Sequence, residues 1–463
     1  MASTVEKNDL HYCLAGLRDA SSRLLNTDFS LFDIIDFKNN AHIAEEFVDR
    51  LLSDEAYQEP SDSVKVDEVE TQMRLPEWFD EKKYNQGRRF FWDFCFGFSM
   101  VSMLGLIGVY AVPTILAVLV GSRRSNSPYT AYKRYSSTFM HFATWLKHEL
   151  KPGTVAWKSL YTVRCRHVQA GRAARLKGKG MISQRDMALT LFSGLGFAIL
   201  KPDKFSIHQI EEGDWEACIH FWRVIGYMIG LQDRYNICQE TYEETRQVLQ
   251  RIVDKVFTPC LENVPEYFEH ISHVTVDGLQ AVNSGLEKTS LLYWMRHIAD
   301  VPGYIYTEQE RMALQDKLRK YLKGKSPQTG VESRALIEKS AINGLPDVPS
   351  RVLYVHDYSS FETAPAYKAL PFIGKYKLAV IYLTFALYST WIGRVLLNLQ
   401  YRWTLFIGTY IPYIAMWRYG FKKAFIDIFK ESPFDNTAPK PNAEYYKPQP
   451  PEPWYKSYLA LLW

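Results

Sequence analysis

The chain of 463 residues contains no CxxC pair, no HExxH, no Walker loop, no GxSxG and no paired dinucleotide glycines. Its six cysteines, Cys13, Cys95, Cys165, Cys218, Cys238 and Cys260, are scattered, which argues against a zinc ribbon, an iron–sulfur site and a disulfide framework and suits reduced thiols facing the cytosol. The missing motifs leave protease, nucleotide and hydrolase chemistry without support. No run alternates with the period of a β-strand. The first 30 residues hold Asp9, Asp19 and Asp28 and no long apolar run, so no cleaved signal peptide is expected.

What is abundant is apolar and aromatic. Hydrophobic residues make up 47% and aromatics 15% of the chain, a composition that suits packing against a flat cofactor, a lipid or a membrane. The net charge of +4 conceals an asymmetry: residues 1–80 hold 18 acidic and 7 basic side chains, so an acidic head precedes a basic body. The surplus is not gathered into a nucleic-acid module, and nucleic acid is set aside as a partner.

Residues 1–58 read as an acidic segment of short amphipathic helices, 59–75 as a linker, and 76–300 as the main helical core. From Phe94 to Ser122 no residue is charged. The length suggests a membrane span, yet Gly97, Gly105, Gly108 and Pro113 divide it into shorter pieces suited to closely packed core helices. Between Tyr129 and Val256 the pattern is helical throughout, clearest at Tyr242, Thr245, Val248, Leu249, Ile252, Val253 and Val256. Loops are expected at 178–180, 201–205, 301–304 and 325–330. A helix and linker occupy 301–345 and hydrophobic helices 346–435. There the uncharged runs 378–393 and 403–417, with Trp, Tyr and basic flanks, suit a hairpin touching a membrane surface. A proline-rich tail fills 436–463. The fold class expected is all-α.

Three groups of residues carry candidate chemistry. His167 lies in an arginine-rich helix, where an imidazole can ligate haem iron and Arg164, Arg166 and Arg172 can neutralise propionates; the plain alternative is a basic surface helix. Arg134, Ser137, Thr138 and His141 share one helical face, where buried polar groups would need a ligand or dioxygen as partner, unless that face is turned to water. Glu266, Glu269, His270 and His273 share another and could face a non-haem metal, although salt-bridged surface explains them as well.

Taken together, the run Leu75-Pro-Glu-Trp-Phe-Asp before the apolar stretch, Arg134-x-x-Ser137-Thr138, Arg164-x-x-His167, and the segment from Trp222 to Asn236 resemble the rubber oxygenase (latex clearing protein) and ER-bound MpaB-type oxygenase family over roughly residues 76–300. The resemblance implies a globin-reminiscent helical bundle enclosing haem b, with oxidative cleavage of isoprenoid double bonds by dioxygen. His167 matches the proximal iron ligand, Arg134 the pocket arginine and Thr138 the pocket threonine. Ser137 stands where rubber-cleaving members carry a lysine, and the family's glutamate falls near Val118, with no acid between Asp93 and Glu149. His220, on an apolar helix before Trp222, is a further pocket candidate.

The expectation is a haem b oxygenase, intracellular and cytosol-facing, associated with the endoplasmic-reticulum membrane. Its substrate would be hydrophobic, isoprenoid or lipid, with dioxygen as co-substrate. Its rivals are a haem or lipid carrier or sensor without turnover and, more weakly, a non-haem metal enzyme.

Overall fold

The computed structural model describes residues 42–61, 66–301 and 365–447, and every regular element among them is helical. The one pairing of extended backbone there is an isolated bridge between Pro60 and Ser183. The principal helices are α1 (Glu81–Asp93), α2 (Cys95–Tyr110), α3 (Pro113–Gly121), α4 (Pro128–Lys147), α5 (Val155–Leu176), α6 (Gln184–Leu200), α7 (Asp214–Met228), α8 (Tyr242–Ile252), α9 (Phe268–Leu279), α10 (Lys288–Ile298), α11 (Phe372–Tyr388), α12 (Trp391–Tyr410) and α13 (Tyr413–Tyr419).

The long uncharged run becomes α2 and α3, broken at Ala111 and Val112 because Pro113 cannot donate to a continuing helix and instead begins the next one. Helix α2 is buried on nearly every side, so its uniform hydrophobicity belongs to a core helix. No single described helix is long and apolar enough to cross a membrane. The stretch predicted from Tyr242 to Val256 forms α8, opened by a capping box between Thr241 and Glu244 and continued by a π-turn over Val253–Phe257. Thr245, Val248, Leu249, Ile252, Val253 and Val256 are buried, as their spacing requires. Residues 202–205, expected as loop, close into a turn of 3₁₀ helix after Pro202. The loop at Gly178 and Gly180 has the positive φ angles that favour glycine.

Two close approaches tie the bundle together. Helix α1 meets α7 where Gly87 faces the carbonyl of Ala217, and α2 meets α6 where Gly105 faces the backbone of Ser193. A Cβ on Gly105 would lie 2.5 Å from Ser193 Cα, and that neighbour is main chain, so the helices themselves would have to part. Gly105→Ala is therefore expected to cost about 1–3 kcal/mol of stability, read as a lowered Tm in thermal unfolding. An unchanged Tm would show that the two helices can separate freely.

The stretch 59–75 packs onto this core where it is described. Gln184 N donates to the Glu59 carbonyl, Ser61 N donates to the Ile182 carbonyl, and Val69 and Met73 are buried. Most of the expected helix and linker at 301–345, and the end of the proline-rich tail, lie outside the described residues.

Candidate functional site

Helices α4 and α5 pack side by side and bring most of the predicted residues together. Both begin with a side-chain cap: Ser127, in a capping box with Thr130, opens α4, and Thr154 opens α5. The α4 face carrying Ser137 and His141 is buried, so the alternative of a helix face turned to water fails.

His167, on α5, has a buried Nδ1 with no hydrogen-bond partner. Burial, followed by the positive charges of Arg134 and Arg166, lowers its pKa to about 4, so the ring is neutral at physiological pH. His141 is also held near 4 by burial and Arg166. Arg166 Nη1 donates to His141 Nε2 at 3.2 Å, which puts the proton of the neutral ring on Nδ1. That Nδ1 donates to Ser159 Oγ at 2.6 Å, and Trp145 Nε1 donates to the same oxygen at 2.8 Å. His141 is thus saturated and His167 is not.

Arg134 donates to Ser122 Oγ at 3.0 Å and Ser125 Oγ at 3.1 Å, both neutral partners, so its charge is not cancelled by those contacts. Thr138 Oγ1 donates back to the Arg134 carbonyl at 3.1 Å. The hydroxyl of Ser137 is buried without a partner. Of these two hydroxyls, the one on Ser137 retains its proton for a ligand. Arg164 points toward Gly230 in the loop after α7, and burial lowers its pKa. Arg172 is half-exposed, with no partner among the described residues.

The chain's C-terminal stretch crosses this region as a strap. Lys133 Nζ donates to the Phe425 carbonyl, Arg166 Nη2 to the Lys430 carbonyl at 2.7 Å, and Arg124 to Glu431 and the Ser432 carbonyl. Beside the strap, a cavity of about 800 Å³ is lined by Arg123, Arg124, Lys177 and Lys179 with no acidic side chain. Ser122, the partner of Arg134, also lines it. Such a lining suits carboxylate or phosphate groups.

Two predicted groups fall elsewhere. His220 Nε2 accepts from Asp80 N at 3.1 Å, and its ring lies against Trp78 and Phe79. Its described contacts make it the peg for the Leu75–Asp80 segment. Glu266, Glu269, His270 and His273 receive the end of the strap: Asn442 N donates to Glu266, Tyr446 to Glu269, and Tyr445 to His270 Nδ1, while the His273 ring packs on Tyr445. Glu269 also pairs with Arg296 at 3.0 Å. No group of three or more His, Cys, Asp or Glu among the described residues could hold a metal ion, which removes the support for a metal on this face.

One residue was missed because it lies on another helix. Asp186, in the first turn of α6, is buried and accepts from Thr114 Oγ1 on α3 at 2.7 Å, while its Oδ2 has no partner. Burial raises its pKa despite the neighbouring Arg185. Thr114 lies one helical turn before Val118, so Asp186 brings a carboxyl to the helix that lacks one.

Residues 88–314 match the family model described as ER-bound oxygenase mpaB/B′/Rubber oxygenase, catalytic domain. A solved structure of latex clearing protein in the closed state matches at 18% identity and a TM-score of 0.41, covering 69% of this chain and 92% of that one. No curated protein is significantly similar to the chain.

Proposed function

Since residues 88–314 of this chain belong to the ER-bound oxygenase mpaB/B′ and rubber oxygenase family as a catalytic domain, we propose that it is a haem b oxygenase acting with dioxygen on a hydrophobic, isoprenoid or lipid, substrate. The observation that carries the iron reading is His167: a neutral imidazole with a buried nitrogen left without a protein partner, beside arginines. Leaving such an atom unsatisfied costs about 1–3 kcal/mol unless a bound group completes it.

His167 would hold the iron, with Arg134, Arg164, Arg166 and Arg172 supplying positive charge for the propionates. Haem would supply dioxygen binding and one-electron chemistry when bound. The chain's own contribution is to keep His167 unprotonated, to keep water from the buried α4 face, and to offer the Ser137 hydroxyl as a donor. Thr138, bonded to its own helix, fixes the backbone at Arg134. To Asp186 we assign the handling of a proton, in place of the glutamate absent at Val118, because its buried carboxyl has an oxygen without a partner and burial raises its pKa above the usual carboxylate range.

Absorption spectra of the protein expressed with a haem supply, oxidised and then reduced with and without carbon monoxide, test the reading. A Soret band that shifts with carbon monoxide is expected, and its absence would sink the haem assignment. Ser137 and Val118, standing where the family has a lysine and an acid, favour a carrier or sensor as the second reading. A product search with polyprenyl lipids under dioxygen separates the two. Asp186→Asn is expected to lose product while keeping the band, whereas turnover equal to wild type would remove Asp186 from the reaction.

A further inference from the structure

Helix α12 is built the wrong way round for water. Its buried residues are Gly393, Asn398 and Gly408, whereas Trp391, Leu399 and Trp403 are exposed, Trp391 by 70%. Two of its residues with polar groups, Asn398 and Arg394, are turned toward the protein, and the stem of the exposed Arg402 reaches back to it. Asn398 Nδ2 donates to the Asp93 carbonyl at 2.7 Å, and its Oδ1 accepts from Tyr388 and from Phe96 N. Arg394 lies over the Phe94 ring, and Arg402 lies over Trp92 and donates to that residue's carbonyl. A helix on an aqueous surface does the reverse, burying its apolar stripe and exposing its charges.

Exposed apolar residues continue on both sides of α12, from Leu383 of α11 to Trp417 of α13, the latter 78% exposed, and Phe421. Exposed apolar side chains gathered on neighbouring helices in this number mark a contact with a partner or a membrane. Charge identifies which. Between Glu362 and Asp427 the chain has no acidic residue, while it carries Lys368, Lys375, Lys377, Arg394, Arg402, Arg418, Lys422 and Lys423. A second copy docked through this face would set like charges against one another. An anionic lipid surface would complement them, and tryptophan and tyrosine favour the boundary between headgroups and acyl chains.

We infer that α11, α12 and α13 lie in one leaflet of a membrane containing anionic lipid, with Leu383, Leu399 and Trp403 immersed and the basic residues at the headgroups. The helices rest in the leaflet without crossing it. Helix α11 spans about 26 Å and α12 about 30 Å, but they turn by 117° between Tyr388 and Trp391, and neither is long and apolar enough to cross. This attachment does not depend on the iron at His167.

The test is flotation of the full chain with vesicles of phosphatidylcholine alone or with about 30% phosphatidylserine added. The protein is expected to float with the mixed vesicles, more weakly with phosphatidylcholine, and to remain largely bound in high salt because apolar burial persists when charge is screened. Leu383→Glu, Leu399→Glu and Trp403→Glu combined should lower the bound fraction about tenfold without shifting the far-ultraviolet circular dichroism. Lipids brominated near the headgroup should quench the wild-type tryptophan emission more than lipids brominated near the chain ends, a measurement that needs no variant. Wild-type protein that stays at the bottom of the gradient with both vesicle types would overturn the inference. So would a triple variant that floats as well as wild type, or a wild-type dimer that the triple change dissociates while neither form floats.

Discussion

Replacing His167 with Ala is expected to abolish the Soret band of haem-supplied protein or to shift it beyond recognition, while His270→Ala and His273→Ala leave it unchanged. The contrast follows from where each imidazole spends its hydrogen-bonding capacity. His270 uses both nitrogens, accepting from Tyr445 and donating to the Asn126 carbonyl at 2.9 Å, and His273 lies between Tyr445 and Glu269. His141, nearer to the site, is saturated by Arg166 and Ser159. Only at His167, of these four, is a buried ring nitrogen without a partner. Retention of the wild-type band in His167→Ala would place the iron elsewhere. A band that also disappears in His273→Ala would show that the docked tail matters to the site, and circular dichroism would tell that from unfolding.

The second large effect is expected on acidification. His141, His167 and His273 each have a pKa lowered from 6.5 to about 4, in every case chiefly by burial. In the unfolded chain these rings take up protons as the pH falls below 6.5, whereas in the folded protein they resist until about 4. The folded state then binds fewer protons, so stability falls throughout that window and levels off below it. For buried His141 alone, a shift of this size corresponds to about 3 kcal/mol, a large part of the ~5–15 kcal/mol that holds a typical domain. Asp186 opposes the trend, since its raised pKa lets the folded state bind a proton earlier, but one carboxyl offsets only part of three histidines. Urea denaturation at stepped pH should show the midpoint dropping steeply between pH 6.5 and 4. His167→Ala should flatten the slope while leaving its direction. A midpoint independent of pH across that window would mean the rings are not held neutral by the fold.

Much of the helical layout was legible because it rests on local rules. Pro113 divides the uncharged run, Thr241 and Glu244 open α8, and the glycines of α2 permit the close contact with α6. The pairing of Arg134 with the neighbourhood of His167 was legible through the resemblance, since α4 and α5 are consecutive. Less legible were partners distant in sequence. Nothing near His220 announced that it would serve Asp80, 140 residues earlier. Nothing in Glu266, Glu269, His270 and His273 distinguished ligands for a metal from anchors for a tail, because carboxylates and imidazoles at helical spacing suit both. Asp186 was not legible because the chain around Val118 holds no acid, whereas this carboxyl reaches α3 from the start of α6. The exposed face of α12 was half visible: its composition suggested a membrane, but only the placement of Asn398, Arg394 and Arg402 shows which side is turned outward.

The strap has a consequence for the order of events at the ribosome. Residues 133 to 167 are made early, yet Lys133 and Arg166 bond to carbonyls at 425 and 430, and the far end of the strap is fastened only when Asn442 and Tyr445 reach α9. Contacts spanning more than 260 residues close late, after the entropy of the intervening chain has been overcome. A nascent chain stalled before residue 425 would hold His141 and His167 on a half-open surface, with Arg166 lacking one of its two partners. Completion of the site is therefore a step that follows translation of the strap, and a premature stop before residue 425 would act on the histidines as directly as a substitution beside them.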